Sequence, residues 1–441
     1  VENGRKYYYA LVAYDKGNPA LDILPSENTK FISILPNGEI KTDINTAVVI
    51  PNANKAGYVP PPSSILLNKV TSIGTGSVYY KVVDPTVLEN TTYEVSFDDT
   101  RTKGEYIPIT TTYSVKDLTR RTETFTPSDT IFVKLKHSYL IGNSIQVFDE
   151  NGSAVPSTNY VVDTLRGRIK ASKAGSLPGK SYKISFLYYP VFQSPYIIGS
   201  PFVSEAKDAD NFDGLQLYFN NDWAVKLNDT LSGWNTGSRK YNFTFSTLNI
   251  EDPPLKANRY PSDYEIRFAD NIIDTSSSLY DAMPIPVNFT VINVTDNQRV
   301  EFLFSDNNND GKLSSLDQLY FFEKDPITKQ YKYTWVMNFT VPVGQKDTTY
   351  TFKNGDVLKI FTTKPFRKGD IWKFTVKPAE LNVQKASEEL NKVKVVPNPY
   401  ISAHTHEAPL PPGITSGRGE RRIDFIHVPP NSTIDIFTSR G

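Results

Sequence analysis

The chain has no cysteine, two methionines and four histidines in 441 residues. Without thiols there is no disulfide framework, no thiolate nucleophile and no Cys-ligated zinc. An excess of charge is missing too: 48 Lys and Arg balance 48 Asp and Glu. A protein that grips a polyanion normally carries a basic excess, so nucleic acid is not an expected partner. No apolar run approaches the roughly 18 residues that a membrane-spanning helix needs, and helical periodicity is nearly absent.

What fills the chain instead is 26 Tyr, 25 Phe and 31 Pro. Aromatic and β-branched residues alternate with polar ones in short runs punctuated by Gly, Pro, Asn and Asp, which is the period of half-buried strands. The expected fold is all-β, a string of Ig-like or fibronectin-like β-sandwich modules with one short linker helix. At 441 residues several cores are required. A Tyr-x-(Val/Ile)-x-Phe pattern recurs at Tyr93–Phe97, Tyr182–Phe186 and Tyr264–Phe268. Each puts three large side chains on one strand face.

Punctuation sets the expected boundaries. Residues 1–46 end one module, and 47–64, with four prolines, form a stiff linker. Modules follow at 65–120, 121–195 and 196–378, the last the largest. A helical linker at 379–392, with Ser387 as its expected N-cap, leads to a final segment at 393–441.

The clearest motif is DNNNDGKLSSLD, Asp306 to Asp317. A hard cation such as Ca²⁺ needs six or more oxygens, and a loop supplies them from alternate positions with a glycine where the chain turns sharply. Asp306, Asn308 and Asp310 hold positions one, three and five, and Gly311 holds six. Lys312 offers its carbonyl, Ser314 its hydroxyl and Asp317 the closing carboxylate, one methylene shorter than the usual Glu. Leu313 is placed to anchor the loop in a core. Before the loop Val300, Phe302 and Phe304 alternate with Glu301 and Leu303, and Pro326 soon after it leaves little room for an exiting helix. The loop is expected to join two strands and to hold a structural calcium ion, without the helix pairs of a calcium sensor.

Other motifs read as ordinary structure. DADNFDG, Asp208 to Gly214, puts Phe212 where a ligand would stand and reads as a turn before LQLYF. GSLPGKS, Gly175 to Ser181, is one residue short of a phosphate loop and precedes a strand, so it lacks the helix N-terminus that would hold phosphate. HTHE, His404 to Glu407, sits in a Pro-rich loop, and no G-x-S-x-G or H-E-x-x-H motif occurs. No catalytic residues are assigned. Eight N-x-[ST] sequons, among them Asn293, are what an Asn- and Thr-rich chain produces by chance.

The ends carry a resemblance. NGRKYYYALVAYDKG, Asn3 to Gly17, is similar to the closing strands of a fibronectin type III domain. VKVVPNPYI with ERRIDFIHVPPNSTIDIFTSRG, through Val396 to Tyr400, Arg422, Ile423, Phe425, Pro429 and Thr433 to Phe437, resembles the start of an Ig-like C-terminal module of secreted multidomain proteins of the Bacteroidetes and Ignavibacteria type. Such modules resemble the sorting region of type IX secretion substrates. The resemblance implies an extracellular, cell-surface location and says nothing of activity. The chain starts in mid-strand without a signal peptide and stops partway through the C-terminal module, as a mature or clipped piece of a larger precursor would.

An open sandwich at each end is a template for a neighbour's strand. The expected function is that of a non-enzymatic structural or adhesive surface protein, assembling head to tail into a filament by strand complementation. Two other readings stand beside it: the non-catalytic tail of a large secreted peptidase or glycoside hydrolase, or a carbohydrate-binding module for cell-surface glycans. The last would display tryptophans from among Trp223, Trp234, Trp335 and Trp372.

Overall fold

The structure is a computed structural model that describes residues 5–29, 31–36, 40–51, 54–100, 106, 110–178, 181–197, 211–235, 241–247, 259–325, 328–344, 352–396, 398, 423–428 and 432–440. It is an all-β protein with one short α-helix among the described residues. The chain divides into two compact units, Pro62–Pro378 and a second made of Val1–Pro61 with Ala379–Gly441.

The three largest hydrophobic cores among the described residues lie within Pro62–Pro378, and each takes in one copy of the recurring pattern. Tyr93, Val95 and Phe97 are buried in one, Tyr182, Ile184 and Phe186 in another, Tyr264, Ile266 and Phe268 in the third. Strand alternation explains this directly, since residues two apart share a face.

The largest core is a sandwich. Its five-stranded sheet runs in the order Gly233–Trp234, Val357–Ile360, Tyr264–Phe268, Phe289–Asn293 and Gln298–Arg299. The facing sheet runs Asn242–Ser246, Tyr331–Thr340, Gln318–Lys324 and Glu301–Ser305. Between them aromatic rings interlock: Phe245 stacks on Trp335 at 4.5 Å and Phe268 on Phe352 at 4.3 Å. Each buried ring of this size contributes on the order of 2–3 kcal/mol of burial, and paired rings add a little more.

The other two cores share a strand. Thr110–Phe125 pairs with Thr91–Thr100 over its first half and with Tyr182–Val191 from Val115 to Phe125, with register shifts on either side of Asp117. Such bulges bend a strand, and this one serves one core through Tyr113 and Val115 and the next through Phe125. In the same six-stranded sheet, Ile371–Val376 lies between Thr91–Thr100 and Asn68–Thr71, while Leu215–Asn220 pairs with Ser77–Val82 in the sheet that faces it. Segments read from sequence as the separate modules 65–120 and 196–378 are therefore woven into one core.

The second unit is built differently. Tyr7–Ala10 pairs with Thr46–Val49, Ile32–Ile34 with Ile40–Thr42, Tyr58–Val59 with Glu380–Leu381, and Lys394–Val396 with Asp424–Ile426. Yet among its described residues Ala56 is the one fully buried apolar side chain. Its helix, Val383–Glu389, is capped by Asn382, whose side chain accepts the Lys385 N–H at 2.9 Å. Ser387, the cap expected from sequence, lies inside the helix.

Candidate metal centre

The loop 306–317 is a hairpin connection. Glu301–Ser305 and Gln318–Lys324 pair antiparallel, with Ser305 opposite Gln318 directly across its mouth. Val300, Phe302 and Phe304 are buried on one face, and Leu313 is buried in the large core as the spacing predicts. No helix flanks the loop: strand precedes and follows it. Pro326 lies outside the described residues.

Inside the loop the side chains fold back on the backbone. Asp306 Oδ2 accepts the Gly311 N–H at 2.8 Å, and Asp306 Oδ1 and Asn308 Oδ1 accept the Asp310 N–H at 3.3 and 3.4 Å. Asp310 Oδ1 accepts the Lys312 N–H at 2.8 Å, and Asn308 Nδ2 donates to Asp310 Oδ2 at 3.2 Å. Positions one, three and five are thereby drawn together. Gly311 has φ +68°, which the turn requires and glycine adopts freely, and Asn309 takes φ 57°, tolerable for Asn.

Asp317 plays a different part. Its residue is 1% exposed, with Oδ1 accepting the Asn307 N–H at 2.9 Å and Oδ2 accepting both the N–H and the hydroxyl of Ser314 at 2.7 Å. Burial raises its carboxyl above the ordinary aspartate range and the Asp306 carboxylate adds to the rise, while the bonds from Ser314 and Asn307 oppose it. Asp317 pins the two ends of the loop together through its own hydrogen bonds.

The donor set suits a hard cation in chemistry. It offers three carboxylates, a carboxamide, a hydroxyl and the Lys312 carbonyl, all oxygen. None of Asp306, Asp310 and Asp317 is ion-paired with a Lys, Arg or His among the described residues. In spacing the set is looser: among the described residues no three Asp, Glu, His or Cys side chains gather closely enough to hold a metal as they stand. Asp306, Asn308 and Asp310 are brought together, and Asp317 is engaged with Ser314 and Asn307.

No protein-family model, no curated protein and no solved structure matches this chain.

The other sequence candidates resolve as follows. Phe212 is buried, and Asp213 accepts hydrogen bonds from the Tyr93 and Tyr188 hydroxyls at 2.9 and 3.2 Å, so the described part of 208–214 is a turn tied to the core. A strand, Tyr182–Val191, follows Gly175–Ser181. His404–Glu407 lie outside the described residues. Trp223, Trp335 and Trp372 are buried and Trp234 is half-buried with its Nε1–H on the Tyr241 carbonyl. None of the four stands as an exposed platform. The Asn293 sequon is closed in the folded chain, because Asn293 is fully buried. No helix among the described residues is long and apolar enough to cross a membrane.

Proposed function

We propose that this chain is a structural or adhesive protein of the cell exterior, whose core body carries a calcium-fixed hairpin and whose flanking strands associate with a second copy. One contrast carries the reading. Within Pro62–Pro378 most of the described aromatic side chains are packed into cores, whereas the strands of the flanks pair without burying what they carry. Tyr9, Leu11, Tyr14, Leu24, Ile34 and Ile44 on one flank, and Ile434, Ile436 and Phe437 on the other, are exposed. Apolar strands with free edges favour addition of another strand, and contiguous exposed apolar surface marks association sites.

A neighbour's flank supplies what such surface favours, an apolar β face. Contact between unlike flanks repeats from copy to copy and gives a fibre if it does not close. The Ig-like resemblance of 393–441 agrees with export to the surface. The loop carboxylates, which form no ion pair with a cation side chain among the described residues, support calcium as a clip that stiffens the hairpin. Negative-stain images over a range of protein concentration test the reading. Regular fibres or end-to-end oligomers are expected, and isolated particles at every concentration would overturn it.

A glycan-binding reading has one observation of its own. The rings of Tyr139 and Phe192 stack at 5.0 Å with 2° between planes, and both are exposed. An exposed aromatic face is a surface for sugar rings, and binding to immobilised pyranose polymers that is lost in Phe192→Ala tests it.

A further inference from the structure

A buried carboxyl spans the gap of the large sandwich. Glu323 lies on Gln318–Lys324, on the face it shares with Leu319 and Phe321, and is 2% exposed. Its Oε1 accepts a hydrogen bond at 2.9 Å from Asn293 Nδ2, which belongs to the facing sheet. The same Nδ2 donates to Asp296 Oδ2 at 3.0 Å, and Asn293 Oδ1 accepts the Asp296 N–H at 3.0 Å. Two acidic side chains therefore lean on one neutral carboxamide.

Among the described residues, none of the remaining neighbours forms an ion pair with Glu323. The Tyr264 hydroxyl, fully buried, borders Glu323 without a hydrogen bond of good geometry. Tyr260 and Ser262 donate their hydroxyls to Asp296 Oδ2 at 3.1 and 3.2 Å. Lys332, directly across the strand pair from Glu323, sends its ammonium to Asp325 at 3.2 Å. The Arg367 guanidinium is felt at Tyr260. Among the described residues no cation pairs with Glu323 or Asp296. Tyr106 closes over this end: its hydroxyl donates to the Glu323 carbonyl at 3.2 Å, and its ring meets Tyr260 edge-on at 4.5 Å.

We propose that Glu323 is a pH-sensitive latch between the two sheets: neutral, it holds the Asn293–Asp296 turn and the Tyr106 anchor closed, and ionised it loosens them. A carboxylate buried against a second acid, with one neutral donor between them, is the unfavourable state of this arrangement. Burial accordingly pushes the Glu323 carboxyl up to about 7, with Asp296 adding to the rise and Asn293 and Tyr264 opposing it. The sign follows from proton binding. Between the ordinary glutamate value and the raised one the folded state binds more protons than the unfolded, so stability falls as pH rises through that window and levels off above it. The latch is tightest in mild acid and weakens on the way to neutrality.

The test combines thermal melts of wild type, Glu323→Gln and Asp296→Asn from about pH 5 to about pH 8 with infrared titration of the Glu323 carboxyl. Wild type is expected to lose melting temperature across the window, and Glu323→Gln to remove most of that loss and to exceed wild type at the upper end. Asp296→Asn lowers the Glu323 midpoint, since it removes a like charge. Hydrogen exchange at the Asp296 amide, corrected for its intrinsic rate, accelerates toward neutrality in wild type, by up to about tenfold per unit of pKa shift, and not in Glu323→Gln. A Glu323 midpoint in the ordinary glutamate range, or a Glu323→Gln melting curve parallel to wild type, overturns the proposal. Should Glu323→Gln not fold, the infrared midpoint of wild type decides alone.

Discussion

Gly57 donates its N–H to the Glu389 carboxylate at 2.7 Å, across 332 positions of sequence. The contact ties the strand Tyr58–Val59 to the helix Val383–Glu389, beside the pairing of Tyr58 with Leu381. Lys385 Nζ adds a hydrogen bond to the Tyr58 carbonyl at 2.8 Å, and Asn382 N–H one to the Gly57 carbonyl at 2.8 Å. The two flanks of the chain are clasped to each other at this point.

The clasp depends on glycine. Gly57 has φ +78°, and a Cβ there would meet the Asn382 carbonyl oxygen at 2.5 Å and Ala386 Cβ at 2.7 Å. Gly57→Val is expected to open the clasp, by strain of at least about 1–3 kcal/mol, and to speed proteolysis within 379–392 while leaving the main thermal transition in place. The Gly57 N–H, followed by Lys392, holds the Glu389 carboxyl below its ordinary range. Its stabilisation is therefore present above the ordinary glutamate value and lost as pH falls through the lowered one. Proteolysis in this segment should accelerate in acid, and Glu389→Gln should remove that acceleration.

Asp117 sits fully buried at the bend of the long shared strand, with Arg121 Nε at 2.7 Å and the Arg121 guanidinium also on Glu89 and Thr91. Removing the arginine leaves a buried carboxylate without its charge partner, held by the Thr119 N–H at 2.7 Å. Arg121→Met should cost about 3–5 kcal/mol in urea unfolding. Arg166→Met, from the exposed pair with Asp163, should cost less than about 1 kcal/mol.

Calcium added to metal-stripped protein should raise the melting temperature. A ligand at one hundred times its dissociation constant stabilises by about 2.7 kcal/mol. Asp306→Ala should abolish the rise with less loss in the absence of calcium than Asp317→Ala, because its oxygens serve exposed and half-buried turn amides. Asp317→Ala should destabilise with or without calcium, since its buried carboxylate pins Asn307 and Ser314 directly. A wild type whose melting is indifferent to both calcium and chelator would argue against an ion in this loop.

Local features of the fold were legible in sequence and nonlocal ones were not. Tyr93, Val95 and Phe97 declare their shared face by alternation alone, and so do the partners at Tyr182 and Tyr264. The strand flanks of Asp306–Asp317 were legible for the same reason. The insertion of Ile371–Val376 between Thr91–Thr100 and Asn68–Thr71 leaves no local trace, because pairing partners hundreds of residues apart share no spacing. Ser387 and Asn382 are equally good caps in isolation, and the hydrogen bond of Asn382 to the Gly57 carbonyl, a contact across the chain, fixes where the helix starts. Glu323 did carry a signal: it continues the alternation of Leu319 and Phe321, which puts a carboxyl on a core face.

Self-association through the flanks is the centre of the functional account, and sedimentation velocity reaches it most directly. Wild type and a variant carrying Ile434→Asp and Ile436→Asp are compared over a wide concentration range. The account predicts that wild type sediments faster as concentration rises, through successive oligomers, and that the variant remains a monomer with an unchanged melting temperature. A wild type that sediments as one monomeric species at every concentration would contradict it.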